Sequence, residues 1–180
     1  MLRKAAVAGT WYPGTAEALA REVDRYLAGA AGAAAPGRLL ALVSPHAGLR
    51  YSGPVAAFGY SLLRGLSALT VVLVGPSHRS AFRGVALQAR GEWETPLGRA
   101  AIDEAAAEAL LAAGRPLLFD DPARHRPEHS LEMQLPFLQR LVPSLSLVPL
   151  MMGSQSREEV EGLGEALALA LAGRDALLLV

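Results

Sequence analysis

Thr70-Val71-Val72-Leu73-Val74-Gly75 is a short apolar run, rich in β-branched residues and closed by Pro76-Ser77-His78. That composition between turn residues predicts a strand. Upstream, Leu39-Leu40-Ala41-Leu42-Val43-Ser44 has similar character and runs into Pro45-His46; its continuous apolar run predicts a strand buried on both faces. Residues 84–89, 145–152 and 176–180 are further strand candidates. Helical patterns lie between them. Thr15 caps a helix carrying Leu19, Val23 and Leu27. A second spans about 54–63, a third 102–113 and a fourth 128–141, where Pro136 should kink or shorten it. The fifth spans 156–172, with Ser156 and Glu159 spaced for a capping box. Residues 29–37 and 92–98 read as loops. Strands alternating with helices predict an α/β fold: a largely parallel or mixed central sheet flanked by helices, in one domain over residues 1–180.

Composition narrows the function. The chain carries 17 basic and 17 acidic side chains, 52% hydrophobic residues and no cysteine. Zero net charge predicts no nucleic-acid partner and no anionic-membrane partner. Without cysteine there is no disulfide, thiolate ligand or thiol nucleophile in this sequence. The first residues lack the apolar core of a secretory signal, and no apolar run reaches the roughly 18–20 residues that span a bilayer. The expectation is a soluble cytoplasmic protein.

The chemistry lies at the ends of the strands. Two segments echo each other, each an apolar run passing through a proline to a histidine: His46 and His78. On adjacent parallel strands both imidazoles would emerge at one sheet edge, where open α/β folds bind ligands. Two neutral imidazoles there form half of a divalent metal site, suited to iron, copper, zinc or nickel. The alternative is that both only cap loops. Glu128 and Glu132 fall on one face of the helix expected there, and His129 between them is a candidate acid/base; acidic residues also favour a first helical turn for its dipole alone. His125, between Arg124 and Arg126, reads as solvated. Tyr51 follows His46 by five residues in the expected loop, within reach of a ligand, and Trp11 is a candidate pocket wall. Trp93 reads as edge packing. Arg50, Arg79 and Arg83 lie near the two histidines and would attract an anion.

Five motifs then occur in order: Ala8-Gly9-Thr10-Trp11-Tyr12-Pro13, Ser44-Pro45-His46-Ala47-Gly48 with Tyr51-Ser52-Gly53, Gly75-Pro76-Ser77-His78, Thr95-Pro96-Leu97-Gly98, and the run from Glu128 through His129-Ser130-Leu131-Glu132 to Phe137. Together they resemble the MEMO family, whose prokaryotic members are called AmmeMemoRadiSam system protein B, over about residues 5–180. The resemblance implies the fold of class III extradiol (LigB-type) dioxygenases, which are non-haem iron enzymes. It implies His46 and His78 as metal ligands and His129 as the histidine beside the metal, with Trp11 and Tyr51 lining the pocket. Iron, or copper or zinc, is the implied cofactor, and an AMMECR1-like protein and a radical SAM protein are the implied associates. Family members continue past the last strand into a Ser-Ser-Asp-x-Ser-His segment and on to a further pocket histidine and a cysteine ligand. Nothing in this sequence matches those positions, so the expectation is a chain lacking the family's C-terminal part.

Two functional readings follow. In one, His46 and His78 hold a single metal ion, His129 and Tyr51 are catalytic, and Trp11, Tyr51 and Glu128 bind the substrate of a dioxygenase-like or other redox reaction. In the other, the same pocket is a binding module for an anionic or aromatic peptide or small ligand, of phosphotyrosine type, without turnover.

Overall fold

The computed structural model describes residues 1–30 and 37–180. The loop expected at 29–37 therefore falls largely outside the described residues. Among those described, nine strands form one sheet: β1 (Leu2–Arg3), β2 (Ala41–Leu42), β3 (Ala68–Pro76), β4 (Val85–Leu87), β5 (Glu92–Thr95), β6 (Gly98–Ile102), β7 (Leu118–Asp120), β8 (Ser144–Met152) and β9 (Ala176–Leu179). Six α-helices accompany it: α1 (Ala16–Gly29), α2 (Leu49–Tyr60), α3 (Glu104–Gly114), α4 (Pro122–His125), α5 (Leu135–Leu141) and α6 (Arg157–Ala170). The strand order is β1-β5-β6-β8-β3-β9-β2, with β4 bridging β8 and β7. The sheet is mixed, because β5–β6 and β4–β8 are antiparallel while the central pairs are parallel.

The apolar runs explain the centre. β3 and β8 pair along their full lengths, from Ala68 opposite Ser144 to Pro76 opposite Met152. Val71, Val72 and Leu73 are all fully buried. Successive strand residues point to opposite faces, so both faces of the sheet are covered there. Helices α1, α2 and α5 pack on one another, and α3 packs on α6. The end signals read from sequence hold: the Thr15 hydroxyl accepts from Ala18 N–H, and Ser156 and Glu159 close a capping box at α6.

Several elements differ from expectation, each for a local reason. β2 is two residues long at the sheet edge, with Leu40 65% and Val43 80% exposed, so it is not buried on both faces. It is also not the neighbour of β3, since β9 lies between them. The second helix begins at Leu49 and holds Pro54 in its interior. Residues 92–98 are not a loop: β5 and β6 form a hairpin with a turn at Pro96-Leu97, closed by Gly98 at φ +125°. The fourth expected helix is shorter: Pro136 has no N–H and falls in the first turn of α5, where that N–H would have no partner within the helix. Accordingly α5 starts at Leu135, after a 3₁₀ turn at Glu132–Gln134.

Gly84 offers a test of how closely the chain segments approach. Its φ is +84°, and a Cβ there would lie 2.5 Å from the Leu117 carbonyl oxygen. Gly84→Ala combines left-handed strain with a backbone clash, and is expected to cost about 3 kcal/mol. Urea denaturation measures it; a loss below about 1 kcal/mol would contradict the close approach.

Candidate functional site

β3 delivers His78 directly. Ser77 N–H still bonds Met152 O (2.9 Å), extending the β3–β8 ladder, and the chain then turns, with the Ser77 hydroxyl donating to Ser80 O (2.7 Å). His46 arrives from two strands away. The β2–β9 ladder continues through Val180 N–H to Leu42 O (2.9 Å) and Ser44 N–H to Val180 O (2.8 Å). Beyond it, Pro45-His46 lies past the end of β9. Strands two places apart are separated by roughly 10 Å, yet the His46 and His78 ring centroids are 5.2 Å apart. The rings therefore close over the end of β9 and do not stand on adjacent strands.

His129 completes the cluster from the irregular segment preceding α5. Its ring centroid lies 4.6 Å from that of His78 and 6.3 Å from that of His46. The Trp11 ring centroid lies 4.1 Å from that of His129. Gly75 admits this segment: a Cβ there would come within 2.7 Å of the Leu131 side chain. The three histidines and Trp11 line a cavity of about 920 Å³ whose remaining wall is mostly apolar, including Val43, Val55, Val74 and Val180. Among the described residues, no Asp, Glu, Lys or Arg lines it.

Glu128 works behind the rings. It is 2% exposed, and its carboxylate accepts from the backbone N–H groups of His78, His129 (2.8 Å) and Ser130 (3.0 Å), as well as from His78 Nδ1 (3.0 Å). Burial alone would raise its pKa, but these donors outweigh burial and hold it at about 2. An ionised carboxylate accepts only, so His78 Nδ1 carries the proton of that bond, and it is Nε2 that the neutral ring would offer to a metal. Burial likewise lowers the pKa of His46 and of His129; His78 adds to the effect at His46, and Glu128 partly offsets it at His129. Both rings are thus held in the neutral form that binds metals. The Nδ1 of His129 is buried without a hydrogen-bond partner, although Glu128 Oε1 lies 3.2 Å away.

Most of the expected site residues converge, and some do not. His46, His78, His129 and Trp11 share the cavity. Ligating atoms of His78, Glu128 and His129 all lie within 4.8 Å of one another, a group that does not include His46. Glu128 is enclosed by its donors and does not reach the cavity wall, and it does not share a helix face with Glu132 because residues 128–131 are not helical. Tyr51 lies in the first turn of α2, not in a loop, is 78% exposed and does not line the cavity. His125 is fully buried, not solvated: its Nε2 lies 3.1 Å from Ala86 O and its ring packs edge-on against Trp93. Trp93 is itself core, 1% exposed.

Sequence reasoning missed Arg3. It is 2% exposed, and its guanidinium sits 4.2 Å over the Trp93 ring and pairs with Glu132 at 2.7 Å. The available signal was Glu132 itself, a carboxylate inside the apolar run 131–138 that had to find a cation.

The family model for Memo-like proteins matches residues 3–180. A MEMO1 family protein of Thermotoga maritima is 38% identical over 193 residues, covering all of this chain and 68% of that protein. A MEMO1 family protein of Methanothermobacter thermautotrophicus is 38% identical over 98% of this chain and 66% of its own length. One from Nitrosopumilus maritimus is 31% identical over 99% of this chain and 66% of its own length. The chain thus spans about two thirds of the length of these relatives.

Proposed function

The chain belongs to the Memo-like protein family, and we propose that its three-histidine cleft holds one transition-metal ion and acts on a small organic ligand in a redox reaction of the extradiol-dioxygenase kind. The convergence of His46, His78 and His129 on one open, apolar-walled cavity carries this reading.

The donor set fits a metal. Neutral imidazoles suit iron, copper and zinc, and the tautomer of His78 is fixed by a buried carboxylate, as outer-shell partners commonly fix metal-binding histidines. The buried Nδ1 of His129 lies 3.2 Å from the same carboxylate, so Glu128 stands behind both rings. His46 and His78 would hold the ion. A bound ion would supply Lewis acidity and, if iron or copper, an electron-transfer partner. The protein's own part is to bind and to move protons. Trp11 and the valines favour a flat, apolar ligand and exclude water, and His129 takes or gives a proton at that ligand. The absence of lysine and arginine from the described lining weighs against an anionic peptide held by ion pairs alone.

Metal titration tests the reading. Chelator-stripped protein is expected to bind Fe(II), Cu(II) or Zn(II), and His46→Ala and His78→Ala are each expected to weaken binding roughly a hundredfold. Equal affinity in wild type and both variants would refute the assignment.

A further inference from the structure

We propose that the buried Arg3–Glu132 ion pair is a positioning device for the histidine cleft, setting where Trp11 and His129 stand although neither member of the pair lines the cavity. The metal-site reading underlies only the ion-binding arm of its test.

Each partner holds a different segment that bears site residues. Arg3 lies on β1, and its fork gathers the segment that bears the site residues: Nε donates to His125 O (2.8 Å), Nη2 to Glu128 O and Nη1 to Glu132 Oε2 (2.7 Å). Residues 126–131 have no helix or strand of their own, so these bonds and those of Glu128 determine how Glu128 and His129 are presented. Glu132 gathers the N-terminal segment. Its carboxylate accepts from Ala6 N–H (2.8 Å), Val7 N–H (3.1 Å) and the Tyr12 hydroxyl. That segment carries Trp11, whose ring meets His129. One ion pair therefore joins the N-terminal segment that presents Trp11 to the segment that presents His129.

The chemistry of the pair supports this role over a stabilising one. Both members are almost fully buried, 1% and 0% exposed at the side chain, and buried pairs are weak contributors to stability while being effective at fixing register. A lysine could not replace the arginine, because a single ammonium cannot meet three acceptors held in the plane of a guanidinium fork.

Arg3→Lys and Glu132→Gln test the device through two readouts that lost stability alone would not move. The first is the NMR cross-relaxation between the Trp11 indole and the His129 imidazole, measured in metal-free protein below its melting range. The second is Zn(II) affinity. In Arg3→Lys the ring–ring signal is expected to fall by at least half and affinity at least tenfold; Glu132→Gln should move both in the same direction and less. A lower Tm with the ring contact unchanged and affinity within twofold of wild type would overturn the proposal. If wild type takes up no zinc, the metal reading fails, and the ring contact alone then decides this one. If Arg3→Lys does not fold, Glu132→Gln carries both measurements.

Discussion

Glu128→Ala is expected to lower stability by about 3 kcal/mol and to weaken metal binding by roughly ten- to a hundredfold. One carboxylate closes four hydrogen bonds here, three of them to backbone N–H groups at the junction of two segments distant in sequence. Alanine removes the acceptor and leaves the donors facing a site that is 2% exposed at the glutamate. Bonds to a charged group contribute about 1.5–3 kcal/mol each in favourable settings. Four at full strength would give more than the expected loss, but the His78 side chain is 40% exposed, so water can re-form some of them. The effect on metal has a separate origin. Without the carboxylate His78 is free to adopt either tautomer and to turn, so its Nε2 lone pair is no longer presented to the cleft. Glu128→Gln should be milder in stability, because its amide oxygen still accepts two donors, yet comparable in metal affinity. Urea denaturation at pH 7 and Zn(II) titration measure the two effects. A stability loss below about 1 kcal/mol for Glu128→Ala would show that these bonds are not what joins the segments.

That junction also marks where sequence reasoning stops. The cores of β3, β8 and β9 were legible because continuous Val/Leu runs leave few alternatives, and α6 because its capping box is a local code. The convergence of His46 and His78 was legible in outline, since histidines just past strand ends meet at one sheet edge; the place of His129 beside them came only with the family resemblance. Strand order was not. Nothing local in residues 39–44 says that β9 inserts between β2 and β3, which is a property of the whole sheet. Helical spacing of Glu128 and Glu132 misled because Pro136 confines α5 to its C-terminal side, after which the two acids turn to different partners: Glu128 to His78 and Glu132 to Arg3. The placement of Tyr51 in a loop failed for a related reason. Starting α2 at Leu49 moves it from a loop onto an outward-facing helical turn. His125 was misjudged from its arginine neighbours, whose side chains diverge from its own: Arg126 is exposed while the imidazole enters the core beside Trp93.

The burial of His125 has the second large consequence, an acid limb that begins at unusually mild pH. Burial, aided by the charge of Arg3, lowers its pKa to about 4 from an ordinary 6.5. Above pH 6.5 the imidazole is neutral in both folded and unfolded chains, and its contribution to stability is fully present. Between 6.5 and 4 the unfolded chain takes up a proton that the folded chain refuses, so stability falls as pH falls, by up to about 1.4 kcal/mol per pH unit and about 3 kcal/mol in all. His46 and His129, also lowered by burial, act in the same direction. Carboxylates follow in a lower window. Glu128 and Glu159 are both held at about 2, so what they contribute is present above pH 4.5 and is lost as the pH falls through about 2. Two separate stages of acid destabilisation are therefore expected, histidine first. His125→Gln separates them. A glutamine amide can occupy the place of Nε2 and donate to Ala86 O, as the neutral ring does, but it does not titrate. Urea midpoints measured from pH 7 to 4.5 should fall steeply for wild type and much less for His125→Gln, with the remaining slope due to His46 and His129. Parallel curves for the two proteins would mean that His125 is protonated within the fold, and that its place against Trp93 tolerates a charge.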